Sequence, residues 1–333
     1  MKFSPVPVVS VIIPAYNAES FIQETINSVL IQSFSDFELI VIDDGSKDQT
    51  IEVLKTIQDA RLKVFSYPNG GVAVARNRGI AQATGEFISF LDSDDLWTAD
   101  KLEKQLEALK EKPGAGVAYS WTQFIDLEGN LLYAQDPVFF EGNVYAQILV
   151  GNFTANGSNM LIRRQFVEAI GGFDSKVRPA EDWDYTIRLA AVCPFVLVPQ
   201  HQILYRQTFQ SQSSKIDVME KSSLAIIDKA YQVVPPELKS LKNQSLGNTY
   251  RYLTKTCLLH THNDDDIKYA SEKLWKTIRF YPKFLLNLEM QRIIFEVLLA
   301  RLFSYQVSIR LMQLLSRSIP IFSNKFLLLV NHD

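Results

Sequence analysis

Three acidic residues stand together at the end of a short apolar segment of the chain. Asp92, Asp94 and Asp95 directly follow residues 86–91, which are predicted to form a buried strand. Carboxylates this close repel one another unless a cation lies among them, and their oxygens are ligands that Mg2+ and Mn2+ prefer. Such cations commonly bind through one or two carboxylates together with substrate phosphates, so the pattern indicates a site for a phosphorylated ligand. The alternative is that Asp95 or Thr98 only caps the next helix.

These acids belong to a repeated pattern of strands and helices. Short β-branched segments predict strands, and apolar residues recurring at helical spacing predict helices. The predicted strands are residues 8–13, 37–42, 62–65 and 87–91, and the predicted helices are 18–32, 48–58 and 71–82. This alternation predicts an α/β fold, a doubly wound and mostly parallel sheet with helices on both faces. Chemistry in such sheets collects at the carboxyl ends of the strands, where polar clusters occupy residues 14–17, 43–46 and 92–95.

The second half of the sequence is less regular. Strands are predicted at residues 117–120, 159–162, 195–198 and 203–206, helices at 164–170 and 182–192, and a loop-rich segment at 126–156. From residue 215 onward the pattern is helical, with predicted helices at 218–230, 238–259, 267–280 and 292–317. We therefore expect a catalytic domain over residues 1–214, with halves at about 8–115 and 116–214, and a helical extension over 215–333.

Composition and charge are those of a globular protein. Of 333 residues, 47% are hydrophobic and 21% are charged, and the net charge is −3. The charge is uneven, because from Lys215 onward 17 basic residues outnumber 11 acidic ones. Cys193 and Cys257 are far apart and are predicted to be buried free thiols of a reducing compartment. The sequence predicts no membrane-spanning helix, and prolines interrupt the apolar run near the N-terminus, so we expect a cytoplasmic enzyme without a signal peptide.

Six motifs occur in a family-specific order. They are VIIPAYN (residues 11–17), VIDDGSKDQT (41–50), ARNRG (75–79), LDSDD (91–95), GGFD (171–174) and EDWD (181–184). With them the chain resembles the family 2 glycosyltransferases of the GT-A fold over about residues 8–206. The helical tail lies outside this resemblance.

The resemblance implies a nucleotide-binding surface at the strand ends. Its members are Pro14, Ala15, Tyr16, Asn17, Glu19, Asp44, Arg76, Asp92 and Ser93. The Tyr16 ring could stack on the base, or could be a core aromatic. The Arg76 guanidinium could reach the diphosphate or hold a carboxylate. Arg78 is expected to be solvated.

The resemblance also implies a metal site and a general base. Asp94 would be the direct ligand of Mn2+ or Mg2+, and Asp92 would approach the ribose or the water shell of the metal. Asp182 would take the proton of an acceptor hydroxyl. Glu181 and Trp183 would lie near the acceptor or the donor sugar. The alternative is that the two acids of EDWD only favour the helix N-terminus and that Trp183 packs in the core.

Two further groups of residues admit more than one role. His201 could meet a diphosphate but is expected to be structural, and His260 and His262 beside three aspartates are expected to form a turn. In residues 275–330, eight basic residues accompany Glu289 and Glu296, interleaved with leucines. Such helices could lie on an anionic membrane surface, pack on the catalytic domain, or form a dimer contact.

The sequence therefore predicts an inverting, metal-dependent glycosyltransferase. It would move a sugar from a nucleoside diphosphate donor, UDP-linked, to a hydroxyl of a glycan or lipid-linked acceptor in cell-surface polysaccharide biosynthesis. No nucleic acid partner is expected, and the oligomeric state is open. A nucleotidyltransferase for sugar phosphates is an alternative, although it would carry a Gly-rich basic loop after the first strand. An oxidoreductase would need Gly-x-Gly-x-x-Gly there. Asp92, Asp94 and Asp182 argue against a non-catalytic nucleotide-binding relative.

Overall fold

The chain divides into two compact units. The computed structural model describes residues 6–207, 215–259, 264–303, 307–308 and 310–311. The first unit comprises Met1–Ile148, Asn152–Val177 and Glu181–Thr208, and the second comprises Leu149–Gly151, Arg178–Ala180 and Phe209–Asp333. The expectations for His260, His262 and the tail beyond residue 311 lie outside the described residues.

Strands and helices alternate through the first two hundred residues. The strands are β1 (Val9–Ala15), β2 (Phe37–Asp43), β3 (Leu62–Ser66), β4 (Phe87–Phe90), β5 (Leu96–Trp97), β6 (Val117–Ile125), β7 (Leu131–Ala134), β8 (Leu161–Arg163) and β9 (Phe195–Arg206). The helices are α1 (Ile22–Leu30), α2 (Thr50–Thr56), α3 (Val72–Gln82), α4 (Lys101–Glu111), α5 (Tyr145–Val150), α6 (Arg164–Ile170) and α7 (Glu181–Ala190).

All nine strands join one sheet. The strand order is β3-β2-β1-β4-β8-β6-β9-β5, and β7 pairs with β6 at the side. The first four strands are mutually parallel, whereas β8 runs antiparallel to both β4 and β6. The β6–β9 pair is again parallel. The carboxyl ends of β1, β2 and β4 therefore share one edge, as the sequence predicts.

Strand β1 is buried on both of its faces. Successive side chains of a strand point to opposite faces, so Val11 and Ile13 lie together while Ile12 points the other way. Val11 and Ile13 belong to the core cluster that includes Ile26 of α1. On the opposite face, α3 approaches so closely that a Cβ on Gly79 would lie 2.2 Å from the Ile12 side chain. Helices thus cover both faces of the sheet, as predicted.

The structure differs from prediction in three places, two of them in the second half. The two predicted closing strands are one continuous strand, β9, whose register against β6 shifts twice. Strand β7 and helix α5 lie in the segment predicted to be loop-rich, and β5 is a two-residue strand. Strand β5 pairs with the distant β9, and β7 and α5 are only four and six residues long, so local periodicity carries little sign of them.

The second unit is helical. Its helices are α8 (Ile216–Val233), α9 (Lys242–Leu259), α10 (Asp264–Phe280) and α11 (Leu288–Leu302), with 3-10 turns at Pro236–Leu241 and Pro282–Leu286. Helices α9 and α10 pack on each other. Met290, Ile293 and Val297 of α11 form a core cluster with Leu274 of α10. Both cysteines are buried thiols, as predicted.

Candidate active site

The acid loop, residues 92–95, is held in place from both sides. The loop begins where β4 ends, and its Asp95 is fully buried. The Ser158 hydroxyl donates to Asp95 Oδ2 at 2.5 Å and accepts from the Asp92 N–H at 3.0 Å. On the other side, the Arg206 N–H donates to Asp95 Oδ1 at 3.0 Å. Burial, and then the charges of Asp94 and Asp92, raise the pKa of Asp95 well above its ordinary value. Asp95 therefore anchors the loop through its own carboxylate.

Arg206 is the second anchor of the acid loop. Its Nε donates to the Asp94 carbonyl at 2.9 Å, and its Nη2 donates to Glu24 of α1 at 2.7 Å. Its Nη1 donates to the carbonyls of Asp126 and Leu127. One buried guanidinium thus ties three backbone segments together at the end of β9. Sequence reasoning missed this role, because a single Arg closing a strand carries no motif of its own.

Arg76 connects the acid loop to the start of α7. Its Nη2 donates to Asp92 Oδ1 and its Nη1 donates to Glu181 Oε1, both at 2.6 Å. The guanidinium is 2% exposed and lies 5.1 Å from the centre of the Phe173 ring. Of the two predicted possibilities, the geometry is that of a residue that holds carboxylates. Arg76 therefore brings together two motifs that are far apart in the sequence.

Asp182 follows Glu181 on α7, near this bridge. Its Oδ2 accepts a hydrogen bond from Asn152 Nδ2 at 2.9 Å. Burial, together with the negative charges of Glu181 and Asp92, raises the pKa of Asp182 to about 7, against the opposing charge of Arg76. A carboxylate with a pKa near 7 is suited to accept a proton near neutral pH. The structure does not itself assign this role, which stays a prediction.

Asp94 and Asp92 are the candidate metal ligands, and both are partly exposed. Burial and the neighbouring Asp92 raise the pKa of Asp94 to about 6, against the opposing charge of Arg206. Among the residues that the structure describes, no group of three or more His, Cys, Asp or Glu side chains is placed to hold a metal ion. Two carboxylates nevertheless fit Mn2+ or Mg2+ when phosphate oxygens complete the coordination.

The loops after β1 and β2 interlock to form the candidate nucleotide surface. Asn17 accepts from the Lys47 N–H at 2.8 Å through Oδ1, and Glu19 accepts from the Gln49 N–H at 2.7 Å. Asn17 has a positive φ of 49°, which fits its place in a tight turn. Tyr16, between Ala15 and Asn17, is 46% exposed, so its ring is open to solvent rather than part of the core.

The remaining nucleotide-site residues are less exposed. Pro14 and Ala15 are the buried last residues of β1, and the Ala15 carbonyl accepts from the Asp44 N–H at 2.8 Å. Ser93 accepts from the Thr25 hydroxyl at 3.0 Å through its carbonyl. These contacts place backbone groups at the shared sheet edge and leave the nucleotide role of each residue a prediction.

Asp44 is buried and bound within the protein. Its carboxylate accepts from the N–H groups of Gly70 and Gly71, and Arg78 donates to it at 2.8 Å. The expectation that Arg78 is solvated is wrong, because its guanidinium pairs with Asp44 and lies over the Tyr67 ring. Sequence position on a helix does not reveal such a partner, which comes from another strand end.

Trp183 and His201 are both held by backbone groups. Trp183 is buried and donates from Nε1 to the Ile148 carbonyl at 2.8 Å, which is the packing alternative. His201 Nε2 lies 3.0 Å from the Gln135 carbonyl, and its ring lies against Trp121. These contacts agree with the expectation that His201 has a structural role.

A segment that sequence reasoning left unassigned links the two acidic centres. We call residues 152–159 the polar loop. Its Asn152 contacts Asp182, and its Ser158 contacts the acid loop. Between them, a Cβ on Gly157 would lie 2.6 Å from Arg76 Nη2, so this position must stay a glycine for the arginine to fit. The sequence signal was a cluster of Asn, Thr, Ser and Gly, which resembles an ordinary surface loop.

The chain matches a family model over most of its described length. The model is described as "Glycosyltransferase like family 2" and matches residues 10–255. The chain therefore belongs to the family 2 glycosyltransferases. It is 46% identical over 127 residues to an uncharacterised glycosyltransferase of Haemophilus influenzae (strain ATCC 51907 / DSM 11121 / KW20 / Rd), covering 37% of this chain and 50% of the relative.

A longer but weaker match extends over more of the chain. It is 30% identical over 255 residues to a chondroitin synthase of Pasteurella multocida (strain Pm70), which covers 74% of this chain and 24% of the synthase. This chain thus spans half or less of the length of both relatives.

Solved structures share the fold. S. aureus TarS 1–349 in complex with UDP-GlcNAc superposes with a TM-score of 0.55 at 20% identity, covering 84% of this chain and 91% of TarS 1–349. The mannosyltransferase PcManGT of Pyrobaculum calidifontis, in complex with GDP-Man and Mn2+, superposes with a TM-score of 0.56 at 19% identity. That match covers 90% of this chain and 88% of PcManGT. The fold is GT-A, with a helical C-terminal region, as the resemblance implies.

Proposed function

We propose that this chain is an inverting glycosyltransferase. It transfers a sugar from a nucleoside diphosphate donor, UDP-linked, to a hydroxyl of a glycan or lipid-linked acceptor in cell-surface polysaccharide biosynthesis. The observation that carries this proposal is the Arg76 bridge, which draws the acid loop and the acids of α7 together. A donor phosphate site and a proton acceptor at one location are what a displacement at an anomeric carbon needs.

The donor lies at the carboxyl edge of the sheet in this proposal. The exposed Tyr16 ring stacks on the base, and the interlocked Pro14, Ala15, Asn17 and Glu19 surround it. The nucleotide site is completed by Asp44, Arg76, Asp92 and Ser93. Asp44 and Arg76 shape this site indirectly, because both side chains bind other groups of the protein. A nucleotide-sugar donor is supported by TarS and PcManGT, whose structures contain UDP-GlcNAc and GDP-Man.

Asp94, with Asp92, is the proposed site of Mn2+ or Mg2+. Burial beside Asp92 raises the pKa of Asp94 to about 6, and a bound cation would stabilise the ionised form of both carboxylates. When bound with the donor, the cation offsets the charge of the departing diphosphate. The Mn2+ in the PcManGT structure supports this choice.

Asp182 is the proposed general base. The acceptor oxygen bonds to the anomeric carbon while the bond from that carbon to the diphosphate oxygen breaks, and the acceptor proton passes to the Asp182 carboxylate. The nucleoside diphosphate leaves with the bonding electron pair. One direct displacement inverts the anomeric configuration. Glu181, held by Arg76, and the neighbouring Trp183 fix the start of α7 beside the sugar.

The acceptor class and the domain division are also proposals. The chondroitin synthase relative supports polysaccharide synthesis as the setting. Residues 1–214 would be the catalytic domain and 215–333 the helical extension. No helix in the described part of the chain is both long and apolar enough to cross a membrane. We place the enzyme in the cytoplasm, with peripheral contact to the inner membrane face through the basic C-terminal helices.

Helix α11 supports the membrane contact. Met290, Ile293 and Val297 are buried on one face, whereas Leu298 and Leu302, on the opposite face, are 51% and 75% exposed. Glu289 pairs with Arg251 and Lys255, and Glu296 with Arg292. A helix with an apolar outer face, whose acidic side chains are paired with basic ones, is suited to bind an anionic lipid surface.

Vesicle flotation tests this contact. The full chain should float with phosphatidylglycerol vesicles at low salt and should float less at high salt or with phosphatidylcholine vesicles. Leu298→Gln combined with Leu302→Gln should reduce flotation, with the exposed Ile31→Gln as the matched control. A chain that stays in solution with anionic vesicles at low salt would refute the membrane contact.

A donor screen tests the glycosyltransferase activity itself. Purified protein is incubated with UDP- and GDP-linked sugars, with and without Mn2+, and the released nucleoside diphosphate is measured. We expect metal-stimulated release from one UDP-sugar and its loss in Asp182→Asn. Nucleoside monophosphate or pyrophosphate release would instead favour the nucleotidyltransferase.

A further inference from the structure

The polar loop contacts the proposed base through one amide group. Asn152 Nδ2 donates to Asp182 Oδ2 at 2.9 Å across 30 residues of sequence. The Thr154 hydroxyl donates to Asn152 Oδ1 at 2.7 Å, and Thr154 is fully buried. Because Oδ1 accepts from Thr154, the NH2 group of Asn152 must face Asp182. The amide is thus oriented from behind rather than free to rotate.

The support behind this amide is rigid. The Thr154 carbonyl accepts from Asn159 Nδ2 at 2.8 Å and from the Asn156 N–H at 2.9 Å. Asn156 in turn donates to the Thr122 hydroxyl of β6 at 3.0 Å. Asn156, Asn159 and Thr122 are all buried. The position of Asn152 is therefore tied to the central sheet through a chain of buried hydrogen bonds, which fixes geometry better than an exposed loop would.

We propose that Asn152 is the positioning residue of the Asp182 base, and that the amide holds Oδ2 so that Oδ1 faces the acceptor hydroxyl. This inference rests on the proposed function, since it assigns a partner to the same base. Asn152 does not touch the reacting atoms. It acts by fixing the carboxylate and by donating a hydrogen bond to its ionised form.

Several charged groups also act on Asp182 and must be separated from Asn152. Glu181 on the same helix and Asp92 of the acid loop disfavour its charge, and Arg76 of α3 favours it. The Trp183 N–H also bonds the carboxylate. None of these changes when Asn152 is replaced, so the effect of the amide can be measured against a constant background.

The test is the pH profile of kcat/KM for the full chain with a UDP-sugar donor. Asn152→Ala should lower kcat about tenfold to a hundredfold, because the base loses its fixed position. The acidic limb should move to higher pH by about one unit, because a hydrogen bond to a charged group is lost. The KM for the donor and the calorimetric affinity for UDP should stay near the wild-type values.

Two further variants guard against a folding defect. Thr154→Val keeps the Asn152 amide but removes the hydroxyl that orients it. It should therefore move the acidic limb to higher pH, but by less than Asn152→Ala does. Asn27→Ala, on the exposed surface of α1, is the matched control and should change neither kcat nor the limb.

Specific outcomes would overturn the inference. Suppose that Asn152→Ala and Thr154→Val lower kcat while the acidic limb of each variant stays at the wild-type pH. Asn152 then serves only in packing, and the proposal fails. If Asp182→Asn itself retains turnover, the base is misassigned and the proposed function must change. If Asp182→Asn is inactive but the acidic limb of Asn152→Ala is not shifted, only the positioning role of Asn152 is rejected, and Asp182 remains the proposed base.

Discussion

Arg76 and Glu181 form an ion pair at 2.6 Å across 105 residues of sequence. The second arm of the same guanidinium holds Asp92 at the same distance. The two carboxylates would repel each other without it, and the Glu181 side chain is only 10% exposed, whereas Asp92 is partly exposed. This one side chain therefore determines how the acid loop stands relative to α7.

Removal of the Arg76 charge should destabilise the protein strongly. Arg76→Met leaves Asp92 and Glu181 without their partner, and we expect the free energy of unfolding to fall by about 3–5 kcal/mol. Urea denaturation measures this loss. The double variant Arg76→Met with Glu181→Met should recover part of it, because one stranded carboxylate is gone. Lys104→Met, which breaks an exposed pair with Glu107, is the control and should leave the free energy of unfolding nearly unchanged.

Asp94→Asn should remove the metal dependence of UDP binding. Without the carboxylate the cation loses its direct ligand, so the affinity for UDP should become equal with and without Mn2+. Isothermal titration calorimetry with UDP, run with Mn2+ and with EDTA, measures this. Asp36→Asn, at an exposed position before β2, is the control and should keep the wild-type difference between the UDP affinity with Mn2+ and that with EDTA. If Asp94→Asn keeps it too, Asp94 is not the ligand.

The acidic limb of the pH profile should report the ionisation of Asp182. A general base works only when ionised, and burial beside Glu181 raises the pKa of Asp182 to about 7. We therefore expect kcat/KM to rise with pH up to about 7 and then level off. Asp182→Asn should abolish turnover while UDP affinity is retained. A profile that is flat from pH 5 to 8 would contradict the assignment.

Lys101 makes stability depend on pH in the alkaline range. Its ammonium is fully buried, donates to the Ser89 hydroxyl at 2.7 Å and lies 3.7 Å from the centre of the Trp97 ring. Burial lowers the pKa of Lys101 well below 10.5, so the unfolded chain binds the proton more tightly than the native one. This term therefore makes stability rise with pH until the unfolded lysine also deprotonates.

Lys101→Met tests that account. The variant should raise Tm at pH 7 by a few degrees, because no charge has to be desolvated, and the gain should shrink towards pH 10. Differential scanning calorimetry at several pH values measures the gain in Tm at pH 7 and its decrease towards pH 10. Lys104→Met, on the exposed side of α4, should leave Tm nearly unchanged at each pH. A Lys101→Met protein that is less stable at pH 7 would show that the ammonium is well compensated.

Sequence patterns predicted the parallel half of the fold well. Strands β1 to β4 and the helices between them are visible because β-branched segments alternate along the chain with segments whose apolar residues recur at helical spacing. Strand β7 and helix α5 give little periodic signal, because they are only four and six residues long. The sequence leaves Tyr16 either stacking on a base or packing in the core, and its 46% exposure argues against the core alternative. The expectation that Arg78 is solvated is wrong, because nothing local marks its pairing with Asp44.

The sequence by itself determined the family and the strand ends that carry polar residues, because motifs and periodicity are local properties of a chain. Tertiary structure alone decided which polar groups meet. It buried Asp95 under Ser158 and Arg206, joined Asp92 to Glu181 through Arg76, and set Asn152 against Asp182. Such pairs depend on where the sheet brings distant segments together. Their hydrogen bonds and shifted pKa values arise only from that proximity and from the exclusion of water around it.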